Sequence, residues 1–371
     1  MYGAQLIEAL RRHNAALAFF GAGGERMRAA GCEIIVDAKD LAVVGITEIV
    51  SHLPNILGLF KKLVQAADER KPALAVVIDS PAFNWRVARQ MHKRDIPVVY
   101  YVCPQFWAWR QGRVKLLRKY IDKALVIFPF EEKFYRDHGV DATFVGHPLA
   151  DLPMPAISRT EYAAQHTLDP SKPWITLMPG SRRKEVRMNL PPILKAVENL
   201  GAGYEFLLPV ARTLEIGFLK SLIFRSGKKT GQAPSHQRIH FVSEALPALR
   251  LSRAAIVASG TATVEAALME TPFVMVYRVS PITYALGKPR VKVPYYAMVN
   301  LISGQKVVPE LVQHDFTAEN IVRALSKIIP DGAERETMIL GLKQVREKLK
   351  KPSGDGSPAE LAAEIILEML K

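Results

Sequence analysis

The feature that most constrains the fold is a regular alternation of short apolar runs with amphipathic stretches. The apolar runs are rich in β-branched residues, and a helical pattern follows most of them. In the first half of the chain these runs are "ALAFFG", "ALAVVID", "PVVYYV", "KALVIF" and "DATFVG". Strands that alternate with helices form parallel sheets with crossover helices, and such strands are buried on both faces. The sequence therefore predicts an α/β fold with doubly wound sheets.

The same alternation resumes after a proline-rich segment at 146–158, which predicts an interdomain linker. The runs of the second half are "WITLMP", "YEFLLPV", "RIHFV", "AAIVAS" and "PFVMVY". A chain of 371 residues is too long for one hydrophobic core. We therefore predict two Rossmann-like domains, 1–150 and 151–335, that face each other across an interdomain cleft, and a helical tail over 336–371.

The start of the chain departs from the usual order of such a domain. A doubly wound domain normally begins with a central strand, whose turn into the first helix is a favoured ligand site. Here the helical pattern "AQLIEALRRH" begins at residue 4. The first strand is therefore expected to be missing from this sequence.

The charge is strongly basic and bears on the choice of partners. Lys and Arg number 50 against 36 Asp and Glu, a formal net charge of +14. Such a surface attracts nucleic acid, anionic lipid or phosphorylated small molecules. The basic residues are scattered, and no RNA motif or aromatic platform accompanies them, which disfavours a nucleic-acid partner. Two cysteines without a CxxC pair argue against a disulfide framework or a zinc site and favour a cytoplasmic setting.

Residues after the first strand of the second half form a candidate anion site. In an open α/β sheet, ligands bind beyond the carboxyl ends of the strands. Gly180, Ser181 and Arg182 follow "WITLMP", where glycine allows backbone amides to approach an anion and arginine adds donors. The alternative is an ordinary turn capped by the serine.

Two further strand ends of the second half carry similar residues. Ser259, Gly260 and Thr261 follow "AAIVAS", with Glu265 one helical turn later, and Arg278 follows "PFVMVY". The first three predict a helix N-terminus suited to a diphosphate. Glu265 is four residues after Thr261, beyond capping-box spacing, so it could accept hydrogen bonds from ribose hydroxyls; the alternative is a first-turn Glu favoured by the helix dipole. Together these ends predict a nucleotide diphosphate site in the second domain.

The first half offers two candidate strand ends. Asp79 ends "ALAVVID" and precedes Ser80 and Pro81, so its carboxylate is either functional or the acceptor of an Asx turn or N-cap. Trp107 and Arg110 lie in "CPQFWAWRQGR", where they either contact a substrate or pack as core. The stretch "VSHLPNILGLFKKLVQ" (50–65) predicts an amphipathic core helix or an apolar, basic-rimmed patch for a membrane surface.

These motifs, taken with their order, resemble the lipid-A-disaccharide synthases, bacterial glycosyltransferases of family 19 with the GT-B fold. The resemblance covers essentially the whole chain. The stretches that carry it are "GAGGERMRAAG", "LAVVGITEIV", "VVIDSPAFN", "YYVCPQFWAWRQGRV", "LVIFPFE", "FVGHPLAD", "LMPGSRRKEV", "ASGTATVEAAL", "VYRVSPITY" and "MVNLISGQKVVPEL".

The resemblance implies an inverting transfer from UDP-2,3-diacylglucosamine to 2,3-diacylglucosamine 1-phosphate, with no metal and no cofactor. The products are a β-1,6-linked lipid A disaccharide 1-phosphate and UDP. It also implies that Asp79 lies on the acceptor side as candidate general base. On the donor side it implies Arg182, Ser259, Gly260, Thr261, Glu265, Arg278 and Asn300.

Further expectations come with the resemblance. The protein would associate peripherally with the inner membrane from the cytoplasmic side. Its helical tail would pack on the N-terminal domain or exchange with a partner subunit in a homodimer. The sequence lacks the family's AGExSGD-like turn, and Ala82 stands where some members have a second acid. Another GT-B enzyme, such as a UDP-sugar epimerase or a transferase with a soluble acceptor, is the alternative.

Overall fold

The computed structural model describes residues 1–42, 49–230, 238–352 and 356–371, without the side chains of 41–55 and 226–230. The chain forms two compact units. The first unit comprises Met1–Asp151 together with Leu349–Lys371, and the second comprises Leu152–Lys348. The segment 336–371 is thus shared: its first part belongs to the second unit, and its last helix belongs to the first.

The first unit contains most of the short elements of the chain. In chain order they are α1 (Tyr2–His13), β1 (Phe19–Gly23), α2 (Glu25–Ala29), β2 (Cys32–Asp37), α3 (Ala38–Ala42), α4 (Ile49–Arg70), β3 (Ala75–Ile78), α5 (Pro81–His92), β4 (Val98–Tyr101), α6 (Phe106–Trp109), α7 (Val114–Tyr120), β5 (Lys123–Val126), α8 (Pro129–Asp137), β6 (Ala142–Phe144) and, after the second unit, α18 (Pro358–Met369).

A parallel sheet in the order β3-β4-β5-β6 forms the centre of the first unit. All four residues of β4 are buried, as expected of a strand covered on both faces. β1 and β2 pair with each other in a separate two-stranded sheet. No strand precedes α1 in the described part of the chain. α1 packs on α18, where Arg12 and His13 both contact the Glu360 carboxylate.

The second unit is a larger doubly wound domain. Its elements are α9 (Arg159–His166), β7 (Trp174–Met178), α10 (Arg183–Leu200), β8 (Glu205–Pro209), α11 (Ile216–Thr230), β9 (Ile239–Val242), α12 (Ala245–Leu251), β10 (Ala254–Ala258), α13 (Thr261–Leu268), β11 (Phe273–Tyr277), α14 (Pro281–Gly287), α15 (Met298–Ser303), β12 (Glu310–Val312), α16 (Ala318–Ile328) and α17 (Ala333–Leu349), whose last residue, Leu349, already belongs to the first unit.

The sheet of the second unit has six parallel strands in the order β12-β11-β10-β7-β8-β9. Its central strand β10 is buried along its whole length. The carboxyl ends of β7, β10 and β11 are therefore neighbours at one edge of the sheet. The α/β class with parallel sheets is confirmed. Each predicted apolar run except "ALAFFG" contains a strand that is one to three residues shorter than the run, and β1 extends past "ALAFFG" to Gly23.

One helix boundary differs from the sequence pattern for a clear reason. The sequence pattern after "ALAVVID" predicts a helix from Asn84 to Arg94, but the helix begins at Pro81. Proline has no amide hydrogen, and its fixed φ suits the first helical position, so it starts a helix without losing a hydrogen bond. This early start brings Asn84 into the first turn, directly beside the end of β3.

Candidate functional site

Backbone strain marks the ends of two neighbouring strands in the first unit. Asp79 and Ser80, which follow β3, have φ values of +50° and +44°. They are the only consecutive pair of non-glycine residues with positive φ among the described residues. Val102, which follows β4, has a φ of +59°, a rare conformation for a β-branched residue. Strained residues cluster at active sites, where the surrounding structure must hold them.

The side chain of Asp79 is not used to cap the helix that follows. The N-cap of α5 is Ser80, which makes no side-chain cap bond. Asp79 is exposed, and its carboxylate has no hydrogen bond or ion pair with any described residue. Its backbone carbonyl, in contrast, accepts two hydrogen bonds, from Tyr100 and Asn84. The Asx-turn and N-cap alternatives therefore do not describe this residue, which presents a free carboxylate on a fixed backbone.

The two candidates in the tryptophan-rich segment have different environments. Trp107 is buried, and its Nε1 donates to the Glu131 carboxylate at 2.8 Å. Trp109, two residues on, is 46% exposed, and the Arg110 guanidinium stacks 3.8 Å from its ring centroid. Trp107 thus packs as core, whereas Trp109 and Arg110 form the exposed surface of this segment. The sequence left Trp107 open between substrate contact and core packing, and its burial favours core packing.

Glu131 gives the tryptophan-rich segment a buried polar anchor. Its carboxylate also accepts hydrogen bonds from the backbone amides of Ile127 and Phe128. Burial raises the pKa of Glu131 to about 7, although the three donors oppose this shift. It lies three residues after Phe128, the N-cap of α8, which is the spacing at which a Glu side chain accepts from the N-cap amide. That spacing is the signal that could have found it.

In the second unit, the backbone amides of the first candidate anion site already donate to a carboxylate of the protein. Gly180 has a φ of +124°, and a Cβ there would lie 2.8 Å from the Glu185 side chain. Glu185 Oε2 accepts from the amides of Ser181 (3.2 Å) and Arg182 (3.3 Å), and its Oε1 accepts from Arg182 Nη1 at 2.9 Å. The loop has the predicted shape for an anion, and Glu185 supplies that anion. Glu185 lies three residues after Arg182, the N-cap of α10, which is the spacing at which a Glu side chain accepts from the N-cap amide; this was the missed signal.

The second candidate anion site is open. The N-cap of α13 is Gly260, with a φ of +128° and no side-chain cap bond, and a Cβ there would meet nothing within 4 Å. Ser259 and Thr261 are residue types that often cap helices. Ser259 Oγ instead donates to the Tyr296 carbonyl at 2.8 Å, and Thr261 is the first helical residue. The free amides at this helix start can therefore receive an anion directly.

Glu265 lies one turn into α13, largely buried. No hydrogen bond joins its carboxylate to a described residue, and burial raises its pKa. A carboxylate in such a position lacks partners that a ligand with hydroxyl donors would supply. The geometry thus favours the ligand-binding interpretation of Glu265 over a residue spent on the helix end.

Arg278 and Asn300 are held by the protein itself. Arg278 Nη2 donates to the carbonyls of Gln313 and Phe316, and desolvation lowers its pKa. Asn300 is fully buried, and its amide makes four hydrogen bonds, with Val308 O, Glu310 Oε1 and the amides of Val307 and Val308. Asn300 therefore shapes the loop at the strand edge with a side chain that has no remaining donor.

Glu310 is a second residue that sequence reasoning missed. It begins β12, and its carboxylate accepts from the amides of Tyr296 and Ala297 at the start of α15. Tyr296 stacks on Tyr277, the last residue of β11, with ring centroids 5.7 Å apart. Glu310 thereby connects the ends of β10 and β11 to helix α15, which carries Asn300. No local spacing in the sequence indicates this long-range contact.

The remaining sequence expectations concern metals and membranes. Over the residues with described side chains, no three His, Cys, Asp or Glu form a group that could hold a metal ion. Within the described helices, none is both long and apolar enough to cross a membrane. The stretch 50–65 forms part of α4; the side chains of 50–55, and residues 43–48 of "LAVVGITEIV", lie outside the described residues.

Comparison with solved structures identifies the class to which this fold belongs, the GT-B fold. The glycosyltransferase of kitacinnamycin matches with a TM-score of 0.62 at 15% identity, covering 99% of this chain and 95% of that one. The UDP-GlcNAc 2-epimerase from Neisseria meningitidis matches with a TM-score of 0.60 at 12% identity, with coverages of 99% and 95%. At these identities the likeness establishes the fold alone.

Sequence comparison identifies the family. The family model described as lipid-A-disaccharide synthetase matches residues 1–365. The lipid-A-disaccharide synthase of Koribacter versatilis is 51% identical over 370 residues, covering 100% of this chain and 95% of the relative. That of Geobacter sulfurreducens is 40% identical over 373 residues, covering 100% and 94%. The chain belongs to the lipid-A-disaccharide synthase family.

Proposed function

We propose that the chain transfers the sugar of UDP-2,3-diacylglucosamine to 2,3-diacylglucosamine 1-phosphate, with Asp79 as the general base. Family membership makes the chain a glycosyltransferase of lipid A biosynthesis, with a UDP-sugar donor and a sugar phosphate acceptor. The observation that carries the residue assignment is the exposed, unbonded carboxylate of Asp79 on a strained strand end. A carboxylate that no cap or ion pair uses is free to accept a proton.

The proposed chemical step is a single displacement that inverts the sugar. The 6-hydroxyl of the acceptor attacks C1 of the donor sugar, and its proton passes to the Asp79 carboxylate. As the new C1–O bond forms, the bond between C1 and the diphosphate breaks, and UDP leaves with the electron pair. A base on the attacking hydroxyl assists such a displacement because its transition state has oxocarbenium character.

The donor nucleotide is proposed to bind at the strand edge of the second unit. The open helix start at Gly260 would receive the diphosphate, and Glu265 would accept hydrogen bonds from the ribose hydroxyls. Ser181 and Arg182 would add their amides and a guanidinium once Glu185 turns away from them. These donors would stabilise the charge that develops on UDP as it leaves.

A product assay tests the reaction and separates it from the alternatives. The purified chain is incubated with the diacylated UDP-glucosamine and the diacylated sugar 1-phosphate, and UDP and disaccharide are quantified by mass spectrometry. We expect equal amounts of both products, and neither without the acceptor. Turnover of UDP-GlcNAc to an epimer, or transfer to a deacylated acceptor at the same rate, would overturn the proposal in favour of another GT-B activity.

The acylated substrates imply contact with an anionic membrane surface, which we assign to α4. Leu57 is 50% exposed, and Lys61 and Lys62 are exposed one turn further on. An exposed apolar side chain beside cations suits the headgroup region of an anionic bilayer. We expect Leu57→Ser with Lys61→Glu to reduce sedimentation with phosphatidylglycerol vesicles. Leu340→Ser, an equally exposed leucine on α17, is the control; equal loss in both variants would contradict the assignment.

The C-terminal tail is also proposed to take part in a homodimer. In the first unit, α18 packs on α1 of the same chain, and Glu360 contacts Arg12 and His13. The same contacts could form between two chains if their tails exchange. Sedimentation velocity of the wild type and of Glu360→Ala distinguishes the cases: a dimer that dissociates in the variant supports exchange, and a monomeric wild type rules it out.

A further inference from the structure

The peptide that follows Asp79 is held by two side chains that point to it from different elements. Tyr100 lies in the middle of β4, and its hydroxyl donates to the Asp79 carbonyl at 2.7 Å. Asn84 lies in the first turn of α5, and its Nδ2 donates to the same carbonyl at 2.6 Å and to the Ile78 carbonyl at 2.8 Å. A carbonyl oxygen has two lone pairs, so the acceptor capacity of Asp79 O is filled.

These bonds act on a backbone that would not hold its shape unaided. A non-glycine residue in the left-handed region is strained and keeps that conformation only where the surrounding structure holds it. Asp79 and Ser80 are two such residues in succession. The Asp79 amide donates to Tyr101 O at 3.2 Å, and the Ser80 carbonyl accepts from the amides of Phe83 and Asn84. The turn is therefore bonded on both sides, and the side-chain bonds of Tyr100 and Asn84 fix the peptide between the two strained residues.

Tyr100 is suited to this role because its side chain is packed in the core. Its side chain is 1% exposed, within the core cluster of the first unit, and burial raises the pKa of its hydroxyl, so it remains a protonated donor. The ring is anchored by β4, the strand beside β3. A donor on the neighbouring strand therefore holds the Asp79 peptide in a fixed position relative to the sheet.

We propose that Tyr100 and Asn84 are positioning residues for Asp79: they fix the peptide after it so that its carboxylate projects from the sheet in one orientation. This inference rests on the proposed role of Asp79 as general base. Neither side chain contacts a reacting atom. Positional accuracy matters for proton transfer, because a displacement of about 1 Å can lower a rate by roughly 100-fold.

The test measures turnover in Tyr100→Phe and Asn84→Ala with the acylated substrates. Tyr100→Phe keeps the ring in the core and removes only one donor. We expect kcat to fall roughly 10- to 100-fold in each variant, with the KM for the UDP-sugar unchanged, because the donor side is in the second unit. The matched control is Thr271→Val, which removes another buried hydroxyl-to-carbonyl bond, from Thr271 Oγ1 to Leu249 O at 2.7 Å. This control should lose comparable thermal stability and keep its kcat.

A double-mutant cycle separates positioning from general structural damage. In an Asp79→Asn background, the carboxylate on which the positioning acts is absent, so adding Tyr100→Phe should change the residual rate by less than twofold. An undiminished fall in that background, or wild-type kcat in both single variants, would overturn the inference. Wild-type turnover in Asp79→Asn itself would overturn the role of Asp79, which is a distinguishable outcome.

Discussion

The strand ends of the two units differ in which groups they leave free to contact a ligand. In the first unit, Asp79 has a free side chain on a backbone that is strained and held by neighbours. In the second unit, the polar side chains of Arg278 and Asn300 are held by other groups, and the helix start at Gly260 offers its backbone. Under the proposed roles, proton transfer at Asp79 uses an unoccupied side chain, whereas anion binding at Gly260 uses an open backbone.

The largest expected effect tests the free carboxylate of Asp79 in the first unit. Asp79→Asn keeps the size of the side chain and removes the base, so kcat should fall about 10²- to 10⁴-fold, the usual contribution of general base catalysis. UDP affinity, measured by titration calorimetry, should stay at the wild-type level because the substitution lies outside the second unit. A variant that loses UDP affinity while keeping its kcat would place Asp79 in donor binding instead.

The next effect tests whether Asn300 shapes the protein or binds a ligand. Asn300→Ala leaves the buried amides of Val307 and Val308 without their acceptor, so we expect a stability loss of roughly 3 kcal/mol. Urea unfolding measures this loss. A variant with wild-type stability and weakened UDP binding would assign Asn300 to the ligand.

A pH effect of similar size is expected in the buried part of the first unit. Burial raises the pKa of Glu131 from 4.5 to about 7 and lowers that of His147 from 6.5 to about 4. Between about pH 4.5 and 7, folded Glu131 binds more protons than unfolded Glu131, so its contribution to stability is lost as pH rises. His147 does the reverse: its contribution is lost as pH falls from 6.5 towards 4.

The two contributions oppose each other, so single variants should reveal them. As the pH falls from about 7 to 4.5, the free energy of unfolding of Glu131→Gln should fall by roughly 3 kcal/mol relative to the wild type, because the variant lacks the stabilisation that protonated Glu131 provides. As the pH falls from about 6.5 to 4, that of His147→Gln should rise relative to the wild type by a similar amount. Urea unfolding at a series of pH values gives these slopes. Parallel wild-type and variant curves would show that the groups titrate normally.

The smallest expected effect tests whether Glu265 in the second unit binds the ribose. Glu265→Ala should weaken UDP binding by roughly 10- to 100-fold, the range for hydrogen bonds to a charged group. Wild type and variant should bind a 2′,3′-dideoxy analogue of UDP with equal affinity, because the hydroxyl donors are absent. If the variant weakens UDP and the analogue equally, Glu265 does not act through the ribose.

The order of elements could be predicted because it depends on local pattern. Buried parallel strands require continuous apolar runs, and the runs from "ALAVVID" to "PFVMVY" all contain strands. Gly180 and Gly260 were recognised because their positions need conformations that glycine adopts readily. The roles of the serines were not predictable from residue type. A serine cap was the alternative at Ser181, but Glu185 accepts from the Ser181 amide, and Ser259 donates to the Tyr296 carbonyl and does not cap α13.

We could derive from the sequence the α/β alternation, the family and the strand ends that hold the candidate residues, because each depends on residues close together in the chain. The tertiary structure decided which of those residues are available. Trp107 donates a hydrogen bond to Glu131, and Asn300 donates one to Glu310, so neither donor is available to a ligand. The Asp79 carbonyl accepts from Tyr100 on the next strand. These partners are 24, 10 and 21 residues away. Hydrogen bonds at such separations depend on how strands and helices pack, which no local pattern records.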